Sequence, residues 1–428
     1  MGLHSHKLSF KIGMQSHNRN TFMEDIFRLS QTQLSVFNRP YRRYFLKEHD
    51  LTHRLCIILG QRGIGKTTAM VQHLLDVADQ DPFNETILYV QTDHFLIGGR
   101  SLYDIAEQFV NLGGKTICFD EIHKYPRWSM ELKSITDTFV KLNVLASGSS
   151  LLEIYKGSHD LSRRSLLMRM WGLSFREYIE MSCNQPMPVY SIENIVTDHT
   201  RIAYQIVETL RDKTILALFK EYLRHGCYPF YFENQDDAIF GQILNQNLHT
   251  TLESDLIAVQ PALTGNSIKN ITTLLRIISA SVPFYPNFKK LTELTDVGDQ
   301  RTLKTYLKYL EDCGLVTGLS RSGKGLREMD KPEKIFLNNP NLIYAFSPNT
   351  DIGAIRETFF LNMLGSKHTV KAPRQGDFLV DDTYLFEIGG KNKTFDQIKD
   401  MENSFLAVDD MEKGFGQKIP LWLFGFLY

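Results

Sequence analysis

Residues 60–68 read "GQRGIGKTT", and their reading decides the fold. They follow a short apolar run, Leu55-Cys56-Ile57-Ile58-Leu59, and precede a helix-compatible stretch. Gly60-Gln61-Arg62-Gly63-Ile64-Gly65-Lys66-Thr67 fits G-x-x-x-x-G-K-[ST] without a departure, in the strand, loop, helix context the pattern requires. Glycines let the backbone wrap an anion with several N–H groups pointing inward. A helix starting near Gly65 aims its positive end at the same point. The expected ligand is the phosphate tail of a nucleotide, held over Gly60 to Thr68. Lys66 would reach the β and γ phosphates of ATP, and the Thr67 hydroxyl would ligate Mg²⁺.

Around this loop, short apolar runs at 55–59, 87–90, 116–120 and 144–147 alternate with longer amphipathic segments. That alternation predicts a parallel α/β sheet of buried strands separated by helices. Trp128, Leu132, Ile135 and Phe139 stand at i, i+4, i+7 and i+11, one face of such a helix. Ile117-Cys118-Phe119-Asp120-Glu121 runs from apolar residues into two acids at the ligand edge of the sheet. Asp120 is expected to hold Mg²⁺, directly or through water, and Glu121 to orient or deprotonate the attacking water. The next residues make "DEIH", a helicase-like phrase, and His123 is expected to pack or cap rather than catalyse. Val144 to Ser150 reads as a further strand ending in hydroxyls, with Ser147 or Ser149 as the γ-phosphate sensor. In "HDLSRRSLLMRMWGLSFREY", Arg163 and Arg164 are candidates for a transition-state cation, from the same subunit or a neighbour. Surface arginines on a helix would look the same. Arg62 is a weaker candidate.

These phrases together resemble the AAA+-like P-loop ATPases of bacteria and archaea, through "GQRGIGKTT", "CFDEIHKYPRW", "LASGSSLLEI" and "DLSRRSLLMRMWGLSFREY". The resemblance continues through "FKEYLRHGCYPFY", "TYLKYLEDCGLV", "KIFLNNPNLIYAF" and "GDFLVDDTYLFEIGGKNK". It implies an N-terminal arm and helices over 1–50 and an AAA+-like ATPase domain over 51–180. A helical region over 181–284, a winged helix over 285–334 and a small α/β restriction-endonuclease-like domain over 335–428 would follow. The residues agree locally. Leu303, Tyr306, Leu307 and Leu310 share a helical face, and Gly314 supplies a stop. Strand-like runs resume at 335–338, 377–380, 384–388 and 419–427.

The nuclease-like fold implied by the resemblance uses an acid on one strand, then an acid and a lysine on the next. Asp377, Glu387 and Lys391, with Glu357 on the preceding helix, are the matching residues. The sequence departs from that pattern, because the lysine is expected at 389 and Gly389 stands there. A Gly-Gly bulge could swing Lys391 back, or the site could be retired into a folding and binding module. The segment "SRSGKGLREMDKPEK" carries five Lys/Arg against three acids, only mildly basic for a DNA reader. A winged helix there would serve DNA, or act as a lid or protein dock.

Composition bounds the remainder. With 428 residues, 43% hydrophobic, 23% charged and net charge −1, the chain reads as a soluble multidomain protein with no global pull toward nucleic acid or membrane. Its five cysteines are scattered without a C-x-x-C pair, which points to a cytoplasmic home and away from zinc. No apolar stretch approaches the roughly 18 residues a membrane span needs. No signal pattern stands at the start, and His6 sits where lipidation wants Ser or Thr. The expected activity is Mg²⁺-dependent ATP hydrolysis whose nucleotide state moves the later domains, on DNA or a protein partner, with a homo-oligomer in view. The alternatives are a nucleotide-regulated nuclease and a slow-hydrolysing signalling scaffold. A helicase would need a second ATP-gripping half, which 181–283 does not supply.

Overall fold

The structure, a computed structural model, describes residues 21–148, 161, 164–210, 213–321, 332–346 and 351–428. The chain divides into two compact units. One is Met1–Gly60 with Gly65–Met170, and the other is Gln61–Ile64 with Trp171–Tyr428.

The first unit is built on a five-stranded sheet in the order β2-β3-β4-β1-β5. Its strands are β1 (Leu55–Leu59), β2 (Ile87–Gln91), β3 (Thr116–Asp120), β4 (Asn143–Gly148) and β5 (Leu166–Arg169). Every pairing is parallel. Side chains alternate across a strand, so Leu55, Ile57 and Leu59 enter one core layer while Cys56 and Ile58 face the other, and all five are buried. Burial also pushes the Cys56 thiol up to about 11, which fits a cysteine acting as a small hydrophobe. The helix Trp128–Thr138 buries Trp128, Leu132 and Ile135 as its spacing predicts. Residues 21–37 form a helix whose Phe22, Met23 and Ile26 join the same core. The edge strand β5 was not expected, since Leu166 and Leu167 are exposed and give it no alternating pattern.

This topology sets the site. β4 lies between β1 and β3, so the loop after β1 and the acids after β3 flank the end of β4. Ligands of such sheets gather at the carboxyl ends of strands where connections diverge.

Among its described residues the second unit carries a series of helices between Phe175 and Ser279, followed by helices Phe288–Thr295 and Gln300–Asp312. Leu303, Tyr306, Leu307 and Leu310 form the buried stripe of the last. Gly314 ends it at φ +73°, a conformation open to glycine. A two-stranded hairpin follows, β6 (Val316–Leu319) with β7 (Lys334–Leu337), and Phe284 bridges to Ile335. A separate five-stranded sheet, in the order β12-β11-β10-β9-β8, closes the unit. It comprises β8 (Val370–Lys371), β9 (Phe378–Val380), β10 (Tyr384–Gly389), β11 (Ser404–Val408) and β12 (Lys418–Pro420). β9 and β10 are antiparallel, whereas β10, β11 and β12 run parallel. The run 419–427 is not one strand. It leaves the sheet at Pro420 and continues as a 3-10 turn, Leu421–Phe426, buried on all sides. Among the described residues, no helix is long and apolar enough to cross a membrane.

Candidate active site

The phosphate loop begins where β1 ends. The helix Lys66–Val77 opens on Gly65 at φ 95°, ψ 25°, with no side chain capping its first amides. Lys66 folds back so that Nζ donates to the Gly60 carbonyl at 3.1 Å. The ammonium is therefore held over the loop that the sequence assigned to phosphate. Thr67 donates from Oγ1 to Asp120 Oδ2 at 2.6 Å, and Thr68 follows it into the helix.

Gln61, Arg62, Gly63 and Ile64 group with the second unit. There Gln61 donates through Nε2 to the Gly314 carbonyl and accepts from Tyr228 at 3.2 Å and Asn339 at 3.4 Å. Arg62 pairs with Asp255 at 3.3 Å, whose side chain is 1% exposed. The Nη2 of Arg62, the weaker candidate for a transition-state cation, thus lies against a buried carboxylate.

Asp120 is the hub of the first unit's polar residues. Its Oδ2 accepts from Thr67 and from the Tyr89 hydroxyl, each at 2.6 Å. Its Oδ1 accepts from Ser147 Oγ and, at 3.1 Å, from the Glu121 N–H. Four donors on two oxygens fill the acceptor capacity of a carboxylate. Burial, then the neighbouring Asp120 charge, pushes the Tyr89 phenol far above the usual range, so it stays a donor. Ser147 also accepts from the Glu121 N–H at 3.3 Å, so it serves the acid pair.

Glu121 sits in the left-handed region at φ 54°, ψ 39°. A non-glycine residue there carries strain that its surroundings must hold. Thr92, just past β2, supplies the hold by donating from Oγ1 to the carbonyls of Asp120 at 2.8 Å and Glu121 at 2.9 Å. The buried His123 places Nε2 at 3.5 Å from Glu121 Oε2. Tyr89 and Thr92 are the partners sequence reasoning missed, while His123, expected to pack or cap, is buried and also meets Glu121. The register that sets Gln91 beside Asp120 would have pointed to the first two.

Ser149 and Arg163 lie outside the described residues. Arg164 is half-exposed and pairs with Asp137 at 2.6 Å on the helix Trp128–Thr138.

In the second unit, Glu387 is buried on β10, but Lys391 is exposed. The lysine that meets Glu387 is Lys393, Nζ to Oε1 at 2.6 Å. This corrects the assignment of Lys391, and the reason is local. A tight turn bonds the Lys393 N–H to the Gly390 carbonyl at 2.9 Å and lays the Lys393 side chain over Gly389. A Cβ at 389 would meet Lys393 Cβ at 2.6 Å, so glycine leaves the space the lysine fills. Gln397 turns its amide toward Glu387, within 2.7 Å of Oε1. Asp377 spends Oδ2 on the Ile388 N–H at 2.8 Å. Glu357, on the helix Ile352–Leu364, has its carboxyl pushed up to about 7 by burial and then by Asp377. Among the described residues no group of three or more His, Cys, Asp or Glu side chains is placed to hold a metal ion.

A parallel sheet with a glycine-rich loop after β1 and an acid pair at the carboxyl end of β3 defines a P-loop nucleotide-binding fold. Residues 52–179 match the family described as AAA domain. Residues 216–352 match a domain of unknown function. An uncharacterized protein of Methanocaldococcus jannaschii is 23% identical over 318 residues. That match covers 71% of this chain, and the chain spans 66% of that relative's own length. The ADP complex of Hsp104 from S. cerevisiae is similar at 14% identity and a TM-score of 0.23, over 78% of this chain and 51% of that one.

Proposed function

We propose that the chain is a Mg²⁺-dependent ATPase whose nucleotide state repositions its later domains. The observation that carries this reading is the Thr67–Asp120 hydrogen bond at 2.6 Å, beside a Lys66 curled over its own loop. A hydroxyl and a carboxylate that touch can share one cation once Thr67 turns its oxygen outward, so these residues fit Mg²⁺. The ion, when bound, would neutralise charge on the β and γ phosphates. Lys66 binds the same phosphates, and the amides at the start of its helix receive their oxygens. Glu121 orients the attacking water and takes its proton. Ser147 and Thr92 hold the Asp120–Glu121 backbone in place. Arg163 and Arg164 are the cations offered to the γ phosphate of this or a neighbouring subunit in a homo-oligomer. Removing the ammonium in Lys66→Ala is expected to weaken ATP binding at least about a hundredfold, which titration with a fluorescent ATP analogue measures. Unchanged affinity would sink the reading.

The order of elements supports domains at 51–180, 181–284, 285–334 and 335–428. The hairpin β6–β7 following helices 288–295 and 300–312 is the arrangement a winged helix needs. Its target, DNA or a protein partner, is part of this proposal, as is a cytoplasmic site of action.

A second reading, a nucleotide-regulated nuclease, draws on the Lys393–Glu387 pair beside Asp377 and Glu357. Among the described residues, these acids are not gathered around a common point. Plasmid nicking with Mg²⁺ or Mn²⁺, comparing the native chain with Asp377→Ala, decides it. Equal traces across several DNA forms would leave the cluster a folding and binding module.

A further inference from the structure

We infer that His123 is a positioning residue, holding the carboxylate of Glu121 in the orientation that hydrolysis requires. This rests on the reading of Glu121 as the group that orients the attacking water.

The backbone around Glu121 is clamped from one side. Thr92 bonds two successive carbonyls, at 2.8 and 2.9 Å, and Lys124 pairs with Asp93 next to Thr92. The Glu121 N–H is shared between Ser147 and Asp120. These bonds fix where the side chain begins and say nothing about where it ends. Three rotatable bonds separate the Glu121 backbone from its carboxylate, and the side chain is 18% exposed, so it keeps an open face. The polar edge of His123 meets its other face, with Nε2 at 3.5 Å from Oε2.

The imidazole is itself fixed. Its side chain is fully buried, on the 3-10 turn Ile122–Lys124 that starts at Glu121. Packing alone would be served by an apolar ring of the same size. A buried ring with a nitrogen aimed at a strained, half-open acid has a polar task. The contact is at the long end of hydrogen-bond reach, as bonds within catalytic groups often are before substrate tightens them. Misplacing a catalytic group by about 1 Å can cost on the order of a hundredfold in rate. A residue that only aims Glu121 should therefore act on kcat and leave nucleotide binding alone.

The experiment compares His123→Phe, which keeps a ring and removes the donor, with His123→Gln, whose amide nitrogen reaches the position of Nε2. Steady-state ATP hydrolysis and affinity for a fluorescent ATP analogue are measured on the full chain. His123→Phe is expected to lower kcat about ten- to a hundredfold with affinity within about twofold. His123→Gln is expected to recover most of that loss. In single-turnover assays, adding His123→Phe to Glu121→Gln is expected to cause no further loss, because the group being aimed is gone. The inference is overturned if His123→Phe and His123→Gln behave alike, if the loss shows up in affinity, or if the two substitutions add. Should His123→Phe not fold, His123→Asn replaces it. Its amide nitrogen falls at the Nδ1 position, so the same loss is expected and native turnover would refute the idea. The two readings fail separately. Native turnover in Glu121→Gln defeats the role given to Glu121 itself. A dead Glu121→Gln beside a fully active His123→Phe defeats only the inference about His123.

Discussion

Replacing Asp120 with alanine removes the acceptor of four hydrogen bonds at once, from Thr67, Tyr89, Ser147 and the Glu121 N–H. Two of the donors cannot turn to water, because Tyr89 is 2% exposed and Ser147 is 0% exposed. A buried polar group left without its partner costs about 1–3 kcal/mol, so the pair together should cost about 2–6 kcal/mol. Thr67 and the Glu121 N–H are part-buried, and water replaces their partner at little cost. The assay is hydrogen exchange of the peptide covering 116–120, where about 1.4 kcal/mol corresponds to tenfold in protection. Asp120→Ala should lower protection at least about thirtyfold. Asp120→Asn should lower it far less, since the amide offers one acceptor and the hydroxyls can rotate to accept from its nitrogen. Tyr89→Phe should restore about 1–3 kcal/mol in the Asp120→Ala background, since the phenol it deletes is the unpaired one. Protection in Asp120→Ala within about threefold of native, or an identical effect of Tyr89→Phe in both backgrounds, would refute the reasoning.

The C-terminal sheet gives two further tests. Burial and then Asp377 raise the Glu357 carboxyl from 4.5 to about 7, so the folded state retains a proton that the unfolded chain releases. The penalty is absent below about pH 4.5, grows as pH rises toward 7 and is constant above that. Glu357→Gln should therefore raise stability by up to about 3 kcal/mol at pH 8 and change little at pH 4.5, as thermal midpoints at the two pH values would show. Lys393→Ala leaves the buried Glu387 without its cation and should cost about 1–3 kcal/mol. The loss is moderated because the Lys393 side chain is 32% exposed. Lys391→Ala should stay within about 0.5 kcal/mol, and denaturant midpoints separate the two.

Much of this was legible because strands buried on both faces announce themselves. "LCIIL", "TICFD" and "NVLAS" are continuous apolar runs, and the sheet places them as β1, β3 and β4. The glycine-rich loop and the acids at 120 and 121 follow from strand ends alone. What could not be read is what depends on neighbours distant in sequence. Tyr89 and Thr92 reach Asp120 and Glu121 only because β2 pairs with β3. The run 419–427 is as apolar as a strand, yet Gly425 packs so closely that a Cβ there would meet Phe175 at 2.4 Å. Periodicity does not separate a buried strand from a buried turn of that length. The approach of Lys393 to Glu387 depends on a turn at Gly390, and spacing along the strand carries no trace of that.

The most direct test of the ATPase account is single-turnover hydrolysis of bound ATP by Glu121→Gln, with nucleotide retention measured on the same sample. A group that orients and deprotonates the attacking water supplies on the order of a hundredfold or more. The account predicts ATP retained as tightly as in the native chain and cleaved at least about a hundredfold more slowly. Cleavage at the native rate, or loss of the nucleotide, would contradict it.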